Sequence, residues 1–163
     1  MFEPRTLALA ESVLAAARAK NLRIVTAESC TGGLVAGALT EIAGSSDVFE
    51  RGFVTYSNTA KTEEVAVPEA TLRAHGAVSE PTARAMAEGA LQHAQADISV
   101  AVTGVAGPSG GSPEKPVGLV HFAAARKGAP TIAAEHRFGS IGRDKIRAAA
   151  VEVALNLLRR QIG

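Results

Sequence analysis

The chain has 163 residues, enough for one domain with a full core and too few to expect two. Apolar residues make up 47% and aromatics only 4%, so the core is to be built from Ala, Val, Leu and Ile, which suits helices packed closely on a sheet. Seventeen basic against sixteen acidic residues give a net charge of +1, which leaves no electrostatic footprint for nucleic acid or an anionic membrane surface. No run approaches the ~20 apolar residues that span a bilayer, and the amino terminus lacks the apolar core of a signal peptide. Cys30 is the only cysteine, so no internal disulfide forms, and a cytoplasmic location is expected.

Apolar residues at Leu7, Ala10, Val13, Leu14 and Ala17 predict a helix over Thr6–Lys20, ended at Asn21. Leu22–Thr26 reads as a short strand. Leu34, Val35, Ala38, Leu39 and Ile42 then recur at helical spacing. Phe49–Tyr56 ends in a strand, Phe53–Tyr56, and Ser57-Asn58 offers a helix cap, with Asn58 as the expected capping residue. Glu69–His75 is a short helix closed by Gly76, and Ser79-Glu80-Pro81 opens a long one that runs through Ala83–Ala94. Ile98–Thr103 is an apolar strand. Gly104–Pro116, rich in glycine and proline, is a loop flanked by strands. Val117–Ala125 and Thr131–Phe138 form a hairpin, and Gly142 precedes a terminal helix with its stripe at Ile146, Ala150, Val153, Ala154 and Leu157. The condensed order α-β-α-β-α-α-β-β-β-α implies a three-layer α/β sandwich, a mixed sheet covered by helices with an antiparallel portion near the end.

The stretch Ala27-Glu28-Ser29-Cys30-Thr31-Gly32-Gly33-Leu34 places a serine and a thiol where strand gives way to helix, the end of an open α/β sheet at which ligands bind. The backbone N–H groups of Thr31, Gly32 and Gly33 are expected in the first turn of that helix, aimed at whatever negative charge approaches. A serine hydroxyl needs a base. His75 and His93 lie in helical segments and His121 and His136 within strands, so a Ser-His-Asp reading is weak. Lys61 falls in the first turn of a helix, where a cation is disfavoured and partial burial lowers its pKa further, and Tyr56 ends the preceding strand. On spacing alone the plainer reading stands beside this one: a solvated surface lysine and a tyrosine capping the core. Cys30 offers a second nucleophile, but a packing role is favoured because consecutive residues leaving a strand point in different directions; Glu28 offers a general base, with the hydrogen bonding of loop amides the favoured role. Gly107 and Gly110-Gly111 either let backbone approach a ligand or permit tight turns. No cluster of His, Cys, Asp or Glu has metal-ligand spacing, and no cofactor is called for.

Five segments, in order, carry a resemblance over nearly the whole chain: Ala27–Gly33, Arg51–Asn58, His75–Ser79, Thr103–Pro108 and Lys115–Gly118. Together they resemble the CinA carboxy-terminal domain family, the nicotinamide-nucleotide amidases, whose members stand alone or follow a molybdopterin-binding-like domain. The expected organisation is the stand-alone form, one domain over residues 1–163. The resemblance implies hydrolysis of the carboxamide of nicotinamide mononucleotide to nicotinate mononucleotide and ammonia, by a Ser-Lys mechanism with a tyrosine and without metal. Carried over position by position, it implies Ser29 as nucleophile with Tyr56 and Lys61 as its catalytic partners. It further implies substrate contacts from Thr103 and Arg143; beside these, the amides of Thr31, Gly32 and Gly33 are expected to meet the developing oxyanion and Gly107 of the glycine loop to contact substrate. The segment Gly139–Arg143 departs from the family pattern, which has a shorter acidic turn before the arginine. Two rival readings remain open from sequence: a non-catalytic nucleotide-binding or competence-related interaction module, and an amidase for a different small amide. A homo-oligomer is compatible with the sequence and not specified by it.

Overall fold

The computed structural model of the chain describes residues 1–163. Helix α1 (Pro4–Ala19) leads to strand β1 (Ile24–Glu28) and helix α2 (Leu34–Thr40), and a 3-10 turn at Ser45–Asp47 precedes strand β2 (Phe49–Val54). Three helices follow, α3 (Asn58–Val65), α4 (Glu69–His75) and α5 (Glu80–Gln92), one more than the condensed order carries. Ala66, at a left-handed φ of 54°, closes α3, and Pro68 starts α4. Strands β3 (Ile98–Gly104), β4 (Leu119–Arg126) and β5 (Ala129–Arg137) and helix α6 (Arg143–Ile162) complete the chain.

The sheet order is β2-β1-β3-β4-β5. The first three strands are parallel and the last two antiparallel, with Lys127-Gly128 closing the β4–β5 hairpin. Helices cover both faces, which is the three-layer mixed α/β sandwich expected. Strand alternation sorts the core. Ile24, Ile98, Val100, Val102, Val120 and Phe122 face α1, α2 and α6, while Val25, Ala27, Ala101, Ala123 and Ala125 face α5 and α3. Small residues let the second layer sit close: Ala83, Ala87 and Ala90 of α5 are fully buried, and a Cβ on Gly89 would overlap the Val65 carbonyl of α3. No helix is long and apolar enough to cross a membrane.

Two shifts from the expected boundaries matter for the site. Strand β1 runs two residues beyond Thr26, so Ser29 follows it directly. Strand β2 ends at Val54, so Tyr56 lies past it.

Candidate active site

Ser29 leaves β1 with its N–H still donating to Val102 of β3 (2.9 Å), and Thr55 leaves β2 with its N–H donating to Glu28 (2.9 Å). The ladder thus continues one residue past each strand. Alternation then turns Ser29, after Ala27, and Thr55, after Phe53, toward the α5 face, where Lys61 of α3 is also buried. The helix cap is Ser57, whose hydroxyl accepts from Ala60 N–H (3.0 Å), one residue earlier than the expected Asn58. Lys61 shares a helix face with Val65, four residues on, and both are buried against α5. The lysine side chain is 1% exposed, so the solvated surface lysine does not describe it.

The Lys61 Nζ lies 3.0 Å from Ser29 Oγ and donates to the Thr55 carbonyl at 2.8 Å. No carboxylate pairs with it. Burial therefore dominates and lowers its pKa from 10.5 to about 8. The result is an amine whose neutral fraction, negligible for an ordinary lysine, becomes appreciable near physiological pH and dominant above about 8, hydrogen-bonded to a serine that is 8% exposed.

The glycine turn differs from expectation. Helix α2 starts at Leu34, capped by Gly33 at φ 98°, so Thr31–Gly33 precede the helix instead of forming its first turn. The negative charge that meets the helix amino terminus is the chain's own: Glu28, 0% exposed, accepts from Val35 N–H (2.8 Å), Ala36 N–H (3.0 Å) and Thr31 Oγ1 (2.7 Å). Gly32 N–H is spent on Ser29 O (3.0 Å), whereas Cys30, Thr31 and Gly33 donate to no backbone carbonyl. Cys30 points the other way from Ser29, into the core between α1, α2 and α6, and burial pushes its thiol up to about 11.

The remaining expected residues form a second group. Arg143, the first residue of α6, donates to Gly107 O (2.7 Å) and to the Tyr56 hydroxyl (3.1 Å). Tyr56 is 61% exposed and makes no hydrogen bond to Ser29 or Lys61, so a proton path through it has no bonded route in this structure. Thr103 occupies the β3 position beside Ser29, but its hydroxyl donates to Ala77 O (2.8 Å). Sequence reasoning missed Arg147, one helical turn after Arg143. It donates to Cys30 O (3.1 Å) and Thr31 O (3.3 Å) and fixes the serine turn from behind; the i, i+4 spacing of two arginines at a helix start was the available signal.

The CinA C-terminal domain family matches residues 6–162. Among relatives, the nicotinamide-nucleotide amidohydrolase PncC of Escherichia coli K12 is 50% identical over 161 residues, covering 99% of this chain and 97% of that one. A Symbiobacterium thermophilum relative is 53% identical over 150 residues, yet the chain spans only 35% of its length. The crystal structure of the competence/damage inducible protein CihA from Agrobacterium tumefaciens superposes with a TM-score of 0.95 at 52% identity, covering 97% of this chain and 96% of that one. Family match, near-full-length identity and superposition agree, and the chain belongs to the CinA C-terminal domain family.

Proposed function

We propose that this protein hydrolyses the carboxamide of nicotinamide mononucleotide to nicotinate mononucleotide and ammonia, with residues 1–163 acting as one unit and Ser29 and Lys61 as the catalytic pair. The observation that carries the mechanism is the buried, carboxylate-free Lys61 amine 3.0 Å from Ser29 Oγ. The near-full-length amidohydrolase relative supports the substrate class.

In the first half-reaction Ser29 Oγ attacks the carboxamide carbon while its proton passes to Lys61 Nζ. The tetrahedral oxyanion falls to the amides of Thr31 and Gly33, which donate to no backbone carbonyl, the Gly32 amide being already taken. Collapse breaks the C–N bond, the Lys61 ammonium returns the proton to the leaving nitrogen, and ammonia departs. Water then attacks the nicotinoyl ester, giving its proton to Lys61, which hands it to the departing Ser29 oxygen. Tyr56 and Arg143 form the rim: the guanidinium keeps N–H groups beyond those spent on Gly107 and Tyr56, and these suit a phosphate. Thr103 holds the Ala77 segment beside the site through its hydroxyl. A chain whose one thiol is buried and reduced needs no oxidising compartment, which supports action in the cytoplasm.

The test is ammonia release by the purified protein from nicotinamide mononucleotide, its riboside and nicotinamide. Turnover of the mononucleotide by the wild type, abolished in Ser29→Ala with melting temperature unchanged, supports the reading. An active Ser29→Ala variant refutes it.

A further inference from the structure

Three buried side-chain polar atoms in this chain lack a hydrogen-bond partner: Thr26 Oγ1, Thr55 Oγ1 and His121 Nδ1. A hydroxyl withdrawn from water and left unmade is costly, so each orphan asks for a reason. Thr55 stands apart because it is also a partner of the catalytic amine: its carbonyl accepts from Lys61 Nζ at 2.8 Å.

Proton counting at Lys61 exposes a deficit. A neutral amine has two N–H groups and one lone pair, whereas the ammonium has three N–H groups and no acceptor capacity. The surroundings supply Ser29 Oγ and Thr55 O. That set suits the neutral form, with one N–H on the carbonyl and the lone pair facing the serine hydroxyl. It is one acceptor short for the ammonium formed when Ser29 gives up its proton. The unpartnered oxygen nearest in the chain to these contacts is Thr55 Oγ1, fully buried, on a residue that follows buried-side Phe53 and exposed Val54 and so turns to the face of Ser29 and Lys61.

We infer that the Thr55 hydroxyl, by side-chain rotation, accepts the third N–H of the Lys61 ammonium during the reaction, making Thr55 a positioning residue for the proton transfer. The inference rests on the Ser29–Lys61 pairing of the proposed function. An acceptor idle in the resting state and engaged after proton transfer stabilises the transition state more than the ground state, the condition for raising kcat. Thr26 supplies the contrast. It alternates with Val25 and Ala27 and lies on the opposite face of the sheet, with an equally orphaned hydroxyl.

The experiment compares Thr55→Val, Thr55→Ser and Thr26→Val with the wild type, in turnover across pH and in the titration of Lys61 followed by the 13Cε shift of lysine-labelled protein. Thr55→Val is expected to lower kcat roughly tenfold, the lower range for a hydrogen bond to a charged group, with KM little changed. Its Lys61 midpoint and the acid limb of its rate profile should move down by about one pH unit, because the ammonium has lost an acceptor. Thr55→Ser should restore both, and Thr26→Val should alter neither. Thr55→Ala repeats the deletion should the valine variant fold poorly. An unchanged Lys61 midpoint in a folded hydroxyl-deletion variant overturns the inference, whether or not turnover falls. Because the titration needs no substrate, a shifted midpoint in a protein inert toward the mononucleotide would sustain this inference and sink the proposed activity alone.

Discussion

Two ionisable side chains are buried on opposite faces of the sheet beside Ser29, and their surroundings differ. Glu28, 0% exposed, is held by the Val35 and Ala36 amides, the Thr31 hydroxyl and the positive end of α2. Lys61, 1% exposed, has two oxygen partners and no counter-charge. A buried charge held by three hydrogen bonds is architecture, since any change in it breaks several bonds at once. A buried amine short of partners is held at a pKa where it gains and loses a proton readily. The carboxylate thus fixes where the Ser29 turn sits and the amine supplies the chemistry, and the comparison is breakable at either member.

The largest effect is expected at Lys61. Lys61→Arg keeps the charge but cannot be deprotonated, so ammonia release should fall by a factor on the order of 10³ or more. In the wild type, kcat/KM should rise with pH and level off above about 8 as the amine becomes neutral. The same group carries a stability signature of defined sign. Its folded pKa of about 8 lies below the ordinary 10.5, so between those values the unfolded chain binds the extra proton and the fold gains stability as pH rises. Full development across that window corresponds to about 3 kcal/mol. Urea unfolding at pH 8 and pH 10 should show the gain in the wild type and lose it in Lys61→Met; a variant that keeps the gain removes Lys61 as its source.

Glu28 comes next, and its effect should fall on folding. Glu28→Gln turns an acceptor oxygen into a donor facing the N–H groups of Val35 and Ala36 and removes the charge that α2 meets, costing about 2–4 kcal/mol. The urea midpoint should drop with the slope unchanged. If stability holds and only turnover is lost, Glu28 belongs with the chemistry and the division between the two side chains fails.

How much of this was legible in sequence follows from the range over which each feature is encoded. The layers and the β4–β5 hairpin were readable because periods of 3.6 and 2 are local. Ser29 was readable because a serine-glycine turn follows an apolar run. The boundary of β1 was not, because Ala27 and Glu28 are held as strand by Phe53 and Val54 of β2 and by Ala101 and Val102 of β3, distant in sequence. The role of Glu28 is half legible: its position points to loop amides as partners, but α2 starts at Leu34 and its helical amides take the charge. Lys61 sits among Thr59, Thr62, Glu63 and Glu64, a polar neighbourhood that conceals burial produced by α5. The Tyr56–Arg143 contact joins residues 87 apart, and no period points to it.

The rim offers a smaller effect of a different kind. Arg143→Ala should raise KM for the mononucleotide roughly tenfold to hundredfold with kcat little changed, since a phosphate contact is made about equally in ground and transition states. The riboside, lacking phosphate, should be nearly indifferent to the change. Equal losses on both substrates would mean that Arg143 acts by holding Gly107 and Tyr56 in place.

The smallest effect is expected at Cys30, the direct neighbour of the nucleophile. It shares the turn with Ser29 but points into the opposite core, is 5% exposed, and has its thiol raised to about 11 by burial, so almost no thiolate exists at neutral pH. A thiol in that state neither attacks an amide nor reacts with alkylating agents at a useful rate. Cys30→Ala should therefore keep turnover within a few-fold of the wild type and lose about 1 kcal/mol through the small void it leaves between α1, α2 and α6. Incubation with iodoacetamide at pH 8 should leave the native protein active and unlabelled, with labelling appearing only on unfolding in urea. Rapid native-state alkylation with loss of activity would place the sulfur on the Ser29 side of the turn, and the separation of chemistry on one face of the sheet from packing on the other would no longer hold.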